Sequence, residues 1–260
     1  MRPAVRAAWH RFSEPLEGRV RHMYGDLFGY VTTAVGVLLP TVASAVALPW
    51  LRHNGSLATA EEIAESYALV RSAPPAWRDL GGGHAHWLSL TTLRLSEVAI
   101  DALVETKLDQ TERHLKGRLA DWDTWPADAQ LALLSWAWGV GPAAVYPRMF
   151  AALARRDFLA ASREVDMNPK VGTIVDRNRA NVLCLRNAAK AEAHGFDPGV
   201  LFWPKSVEDA IDTLTEIPSP PTVPPSRLGE VLRMTATRKA VEDGLATRDD
   251  DNDDGGPDAA

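Results

Sequence analysis

The chain has 260 residues, of which 46% are hydrophobic, enough to bury one large core and too apolar for a chain disordered throughout. Its formal charge of −6 comes without any broad basic stripe, which argues against nucleic acid as a partner. Cys184 is the only cysteine, so an internal disulfide and a multi-cysteine zinc site are both excluded, and folding in a reducing compartment is the simplest expectation.

The first segment, MRPAVRAAWHRFSEPLEG, is positively charged but has neither the apolar core nor the small-residue cleavage site of a secretory signal. Synthesis in the cytoplasm is expected, with any export by another route. Val5, Ala8, Trp9 and Phe12 recur at helical spacing, and Gly18 is a C-terminal stop after a second short turn at SEPLEG. Glu17 then closes a helix. Arg19 to Val37 reads as strands broken at Gly25–Asp26 and at Gly29, with Asp26 on or beside a turn. From Gly29 to Leu51 there is no charge, and the length would suit a membrane helix. Pro40, Pro49 and the β-branched residues of its first half favour strand, turn and short buried segment instead, so an integral membrane protein is not expected.

After Asn54–Gly55, Thr59 and Glu62 stand in capping-box spacing and open a helix. The stretch SAPPAWRDLGGGHAHW reads as loop. Its His84 and His86 have a spacing that can ligate a metal on a strand, but no third ligand is evident, and no metal or other cofactor is expected. From Leu93 onward the pattern is helical. SEVAIDALVETKLDQTERHLKGRL sets Val98, Leu103 and Leu108 on an approximate apolar stripe. PADAQLALLSWAWGV opens with proline near its first turn and is apolar almost all round, the pattern of a buried central helix. Trp136 and Trp138, two apart on that helix, cannot share a face. Further helices are expected over about 145–165 and 176–193, separated by the turn-like DMNPKVG, with Cys184 a buried structural thiol.

IPSPPTVPPS, residues 217–226, is an extended proline-rich linker that ends a compact domain of residues 1–216. Beyond it, over 227–260, a short helix precedes a solvated acidic tail; residues 226–260 carry five basic and nine acidic side chains. A docking or loading segment and a plain disordered terminus are equal readings of that tail.

The chemistry concentrates in EGRVRHMYGDLFGYVTTAVG, residues 17–36. An acid and a base on opposite sides of a glycosidic bond hydrolyse it without cofactor, and inverting enzymes leave room for a water between them. A glutamate at the negative end of a helix is suited to hold a proton, an aspartate on a wet turn to take one. A threonine hydroxyl a few residues on can hold the attacking water. Spacing alone is weak support, because glutamates at helix ends and aspartates in turns are mostly solvated surface.

Glu17, Asp26 nine residues later and Thr32 six after that, in the frame EG.....Y.D..GY.T...G, resemble the active-site signature of phage lysozymes of the T-even type, glycoside hydrolase family 24. SEVAIDALVETKLDQTERHLKGRL is similar to that family's inter-lobe helix, PADAQLALLSWAWGVGP to its buried central helix, RRDFLAASREV to the later arm of the same lobe, and DRNRANVLCLRNA to its C-terminal NRA-containing helix. The likeness covers about residues 8–193. It implies an α+β, predominantly α, lysozyme-like fold with a small β-hairpin lobe, a helical lobe and a cleft between them. It further implies a bacteriolytic muramidase, a hydrolase cleaving the β-1,4 bond between N-acetylmuramic acid and N-acetylglucosamine with inversion and without a metal. In that reading Glu17 is the general acid, Asp26 activates water, Thr32 positions it, Leu38 and Trp138 line the sugar cleft, and Arg179 orients and tunes Glu17.

Three features depart from the family pattern. Ala34 and Val37 stand where the family has glycine and histidine, which bears on hairpin geometry. Roughly thirty extra residues fall within about 40–90, and loops of that length are often lids or partner surfaces. The chain is acidic where many wall-degrading enzymes are basic. The expected partner is peptidoglycan, reached through holin-dependent release or a contractile injection system as an endolysin-like enzyme or an antimicrobial toxin. The alternative reading is a catalytically silent lysozyme-like module that binds peptidoglycan or serves a phage-tail-like structure.

Overall fold

A computed structural model describes residues 1–167 and 174–210. Met1–Ala210 form one compact unit. The linker and tail expected over 217–260, and most of the turn-like DMNPKVG, lie outside the described residues.

The first helix, α1 (Pro3–Glu17), starts on proline at its first turn and buries Val5, Ala8, Trp9, Phe12 and Ser13. It does not restart at SEPLEG: the helix runs on through Pro15. Arg11, whose carbonyl that proline leaves without a donor, is exposed, so solvent can satisfy it. Gly18, at φ 75°, ends the helix and returns its N–H to Glu14 O at 2.8 Å.

Three antiparallel strands follow in the order β1 (Val20–Gly25), β2 (Val31–Ala34), β3 (Val37–Leu38), with an irregularity between Val20 and Tyr24 where β1 pairs with β2. The uncharged stretch up to Leu51 holds β2, β3 and the short α2 (Val42–Val46). Among the described residues no helix is long and apolar enough to cross a membrane. Helix α3 (Ala60–Arg71) opens with the reciprocal Thr59–Glu62 capping box.

The stretch 72–87, expected as loop throughout, contains a 3₁₀ turn at Pro75–Leu80 and the start of α4 (His86–Leu90). The reason is tertiary. Trp87 is buried, donates its indole N–H to Gly81 O at 3.0 Å and packs edge-on against Trp77. His84 and His86 stack on each other at the surface, and among the described residues no group of three metal-ligating side chains converges.

Helix α5 (Glu97–Lys116) is capped by Ser96. Its buried stripe is Ile100, Val104, Leu108, Thr111 and Leu115, whereas Val98, expected on the stripe, is 78% exposed. The error is one of phase: Leu108 belongs to a face that starts at Ile100. Helix α6 (Ala127–Val140) is buried at every position from Ala127 to Trp138. Around it lie α7 (Pro147–Leu153), α8 (Phe158–Ala161) and α9 (Ile174–Ala193), and α6 packs most extensively against α9. Asn187 of α9 donates to the buried carboxylate of Asp128 at 3.0 Å, which fixes the axial register of the two helices. Cys184 is fully buried on α9, and burial pushes its thiol well above the ordinary range. The fold is therefore α+β and predominantly α, with a small sheet that α5 connects to the helices.

Candidate active site

Glu17, Asp26, Thr32, Leu38 and Trp138 line a single cleft of about 410 Å³. Helix α1 delivers Glu17 from its last residue, the β1–β2 turn delivers Asp26, β2 and β3 deliver Thr32 and Leu38, and α6 delivers Trp138. Thr32 and Leu38 sit opposite each other as register partners of β2 and β3.

The two carboxylates are held differently. Glu17 Oε1 accepts a charge-assisted hydrogen bond from Arg177 Nη2, and Glu17 keeps about one fifth of its side-chain surface exposed while Arg177 is buried. Arg177 is in turn tied down by Ser135 O at 3.1 Å. Asp26 Oδ1 accepts two backbone N–H groups of its own turn, Phe28 at 2.9 Å and Tyr30 at 2.7 Å. Among the described residues no donor meets Oδ2, and Asp26 is half-buried on the cleft wall.

Arg179, expected to orient Glu17, does not reach it. Its side chain is 77% exposed and pairs with Asp176 one turn away. Residues two apart on a helix point to nearly opposite sides. The sequence held the signal for Arg177: the buried face of α9 runs back from Ala191, Ala188 and Cys184 through Asn181 to Arg177 at three- and four-residue steps, and bypasses Arg179.

Trp138 is buried on the cleft floor, and its Nε1 donates to Val35 O at 3.1 Å. Trp136 belongs to the core, edge-on to Tyr146 and Phe150. Residues Val35 and Gly36, between β2 and β3, are what joins Trp138 to Glu17. Gly36 lies at φ +64°, and a methyl group added there would come within 2.5 Å of Glu17 Oε2. Ala34, where the family pattern has glycine, also takes a positive φ of 54° with its methyl fully buried. The tight hairpin therefore forms with alanine at a position that favours glycine.

Lys107 of α5 was not singled out by sequence. Its ammonium donates to Gly36 O at 2.6 Å and lies 4.0 Å from the ring centroid of Trp138. Enclosure lowers its pKa to about 8; Glu17 pulls it back up and Arg177 adds to the lowering. It falls three residues after Val104 and four before Thr111, on the edge of the buried stripe of α5, so the period places it there but does not give its role. Tyr24, also on the cleft, has its phenol pKa raised by burial and then by Glu17 and Asp26.

Compared with known proteins, the chain matches no protein-family model and no curated protein.

Proposed function

We propose that this protein is a peptidoglycan muramidase of the T-even lysozyme type, acting by single displacement with inversion. The observation that carries the reading is the meeting of Glu17, Asp26 and Thr32 in one cleft, with one carboxylate backed by a buried arginine and the other by turn amides. Glu17 gives its proton to the leaving glycosidic oxygen. Asp26 takes a proton from water through Oδ2, and the Thr32 hydroxyl holds that water in line. Leu38 supplies an apolar wall against which a sugar face packs, and Trp138, its ring covered by Lys107, backs the cleft floor. No cofactor enters the scheme. The enzyme acts on the bacterial wall after release through a holin-formed lesion or delivery by a contractile injection system.

The test is mass analysis of soluble products from purified peptidoglycan, with the wild-type chain beside Glu17→Gln. Expected are disaccharide muropeptides with reducing N-acetylmuramic acid, and a loss of roughly 10³-fold in the folded variant. Equal activity in Glu17→Gln would sink the mechanism. No products from either protein on several wall types, with both folded, would favour the silent binding module, and products from chitin oligomers alone would change the substrate.

A further inference from the structure

A second groove, larger than the first at about 750 Å³, lies on the small sheet and the segment after it, and shares no residue with the Glu17 cleft. Strand β1 contributes to both, Val20 and His22 to the groove and Tyr24 to the cleft. Around the groove stand Arg19, Arg21, Arg52, Arg94, His22 and His53, and among the described residues no acidic side chain lines it. Four arginines share one hollow, and the carboxylates that offset them, Glu14, Glu62, Glu97 and Asp101, do not line it.

The four arginines are not equally committed. Arg19 is bound by Glu14, Glu97 and Asp101, and Arg52 by Glu62. Among the described residues Arg94 has only backbone partners, donating to Thr91 O at 3.0 Å and Leu93 O at 2.7 Å. Arg21 donates to Leu95 O at 2.9 Å and reaches Glu97, already engaged by Arg19, only at 3.4 Å. The backbone beneath is fixed: Leu51 and Arg94 exchange both hydrogen bonds at 2.8 and 2.9 Å, and Leu95 N bonds Arg21 O at 2.8 Å. The backbones that carry Arg21 and Arg94 are thus held together in one floor, and both side chains line the groove. Burial and the charge of Arg21 lower the pKa of Arg94, and burial followed by Arg94 brings His22 down to about 4. Arg94, which meets no carboxylate among the described residues, is relieved by a bound oxyanion that Arg21 can share, and guanidinium is the side chain best shaped to receive one bidentately.

We infer that this groove is an oxyanion-binding site, in which Arg21 and Arg94 receive the carboxylate or phosphate group of a ligand and Arg19 and Arg52 form its rim. The ligand class follows from the donors: oxyanions that accept two parallel hydrogen bonds and carry one or two negative charges. Because the groove and the cleft share no residue, the inference stands apart from the proposed hydrolysis.

Calorimetric titration of the full chain at low ionic strength, with inorganic phosphate and separately with a synthetic peptide containing γ-linked D-glutamate, tests it. Saturable binding of at least one probe at one site is expected, weakened at least tenfold by Arg94→Gln and by Arg21→Gln and unchanged by Glu17→Gln. Saturation by phosphate alone assigns the phosphate class, and saturation by the peptide the carboxylate class. Thermal unfolding keeps the test open if one variant is unstable, since the half-exposed Arg21 can be replaced with little structural consequence. Failure of both probes to saturate, or equal affinity in wild type and Arg21→Gln, overturns the inference. Failure of the muramidase reading leaves it untouched.

Discussion

The two ends of the candidate cleft are built by opposite means. Glu17 is held by parts of the chain far from it in sequence: Arg177 of α9, and the Gly36 turn, itself pinned by Lys107 of α5 and neighboured by the Trp138–Val35 bond from α6. Asp26 is held by the amides of Phe28 and Tyr30, and the same turn closes on itself through Asp26 N to Tyr30 O at 2.9 Å and Gly29 N to Asp26 O at 2.8 Å. The acid end is therefore a product of tertiary packing and the base end of local turn chemistry. Damage to the helical packing should reach Glu17 and spare Asp26.

The largest effect expected is at Arg177. Replacing it by methionine removes the partner of a largely buried carboxylate, a class of change that costs about 3 kcal/mol. The loss should show as a fall in thermal midpoint of roughly 6 to 12 °C at 2 to 4 °C per kcal/mol. Arg179→Ala should stay within about 0.5 kcal/mol of wild type, as exposed ion pairs do. If the two variants unfold alike, α9 does not support Glu17 in the way described.

Next come the glycines of the two turns. Gly29, at φ 78°, serves the Asp26 turn, and Gly36, at φ +64°, abuts Glu17. Alanine at either position meets the left-handed penalty of about 1 kcal/mol. At Gly36 the added methyl must also displace the Glu17 carboxylate, so about 2 kcal/mol is expected there. Chemical denaturation of Gly29→Ala and Gly36→Ala measures the difference directly. Equal losses would mean that Glu17 yields without resistance and that its position is less defined than the packing implies.

The same contrast explains what could be read from sequence. The Asp26 turn, the helix stop at Gly18, the Thr59–Glu62 capping box and the buried α6 rest on residues within a few positions of one another, and each was legible. The fold class and the gathering of Glu17, Asp26, Thr32, Leu38 and Trp138 were both expectations of the family likeness. Of what was missed, Arg177 carried the helical period of α9, whereas the roles of Lys107 and of the segment 72–87 depend on contacts no short window contains. Arg177 was passed over for Arg179 because alignment fixed the helix but not its phase. Lys107 sits at the period of the buried stripe of α5, but its role appears only when Gly36 and Trp138 meet it. The structured part of 72–87 was read as loop because its helical turns are supported by Trp87 burial and not by propensity.

Lys107 gives the finest test of the comparison, because its ammonium should couple pH to the acid end alone. Below about pH 8 the lysine is charged in both folded and unfolded chains, and the burial penalty is fully felt. As pH rises from about 8 towards the ordinary value of 10.5, the folded chain releases the proton while the unfolded chain still holds it. Stability therefore rises with pH across that window, because there the unfolded state binds more protons. The Trp138 ring and part of the surrounding cleft favour the charged form, which limits the gain to roughly 1 to 2 kcal/mol. Unfolding free energies at pH 7 and pH 10.5 should show wild type gaining that much relative to Lys107→Met. Asp26→Asn, altered at the locally built end, should follow the wild-type change. Parallel behaviour of wild type and Lys107→Met would show that the ammonium is solvated, and the Lys107–Gly36 link would then contribute little to holding the turn against Glu17.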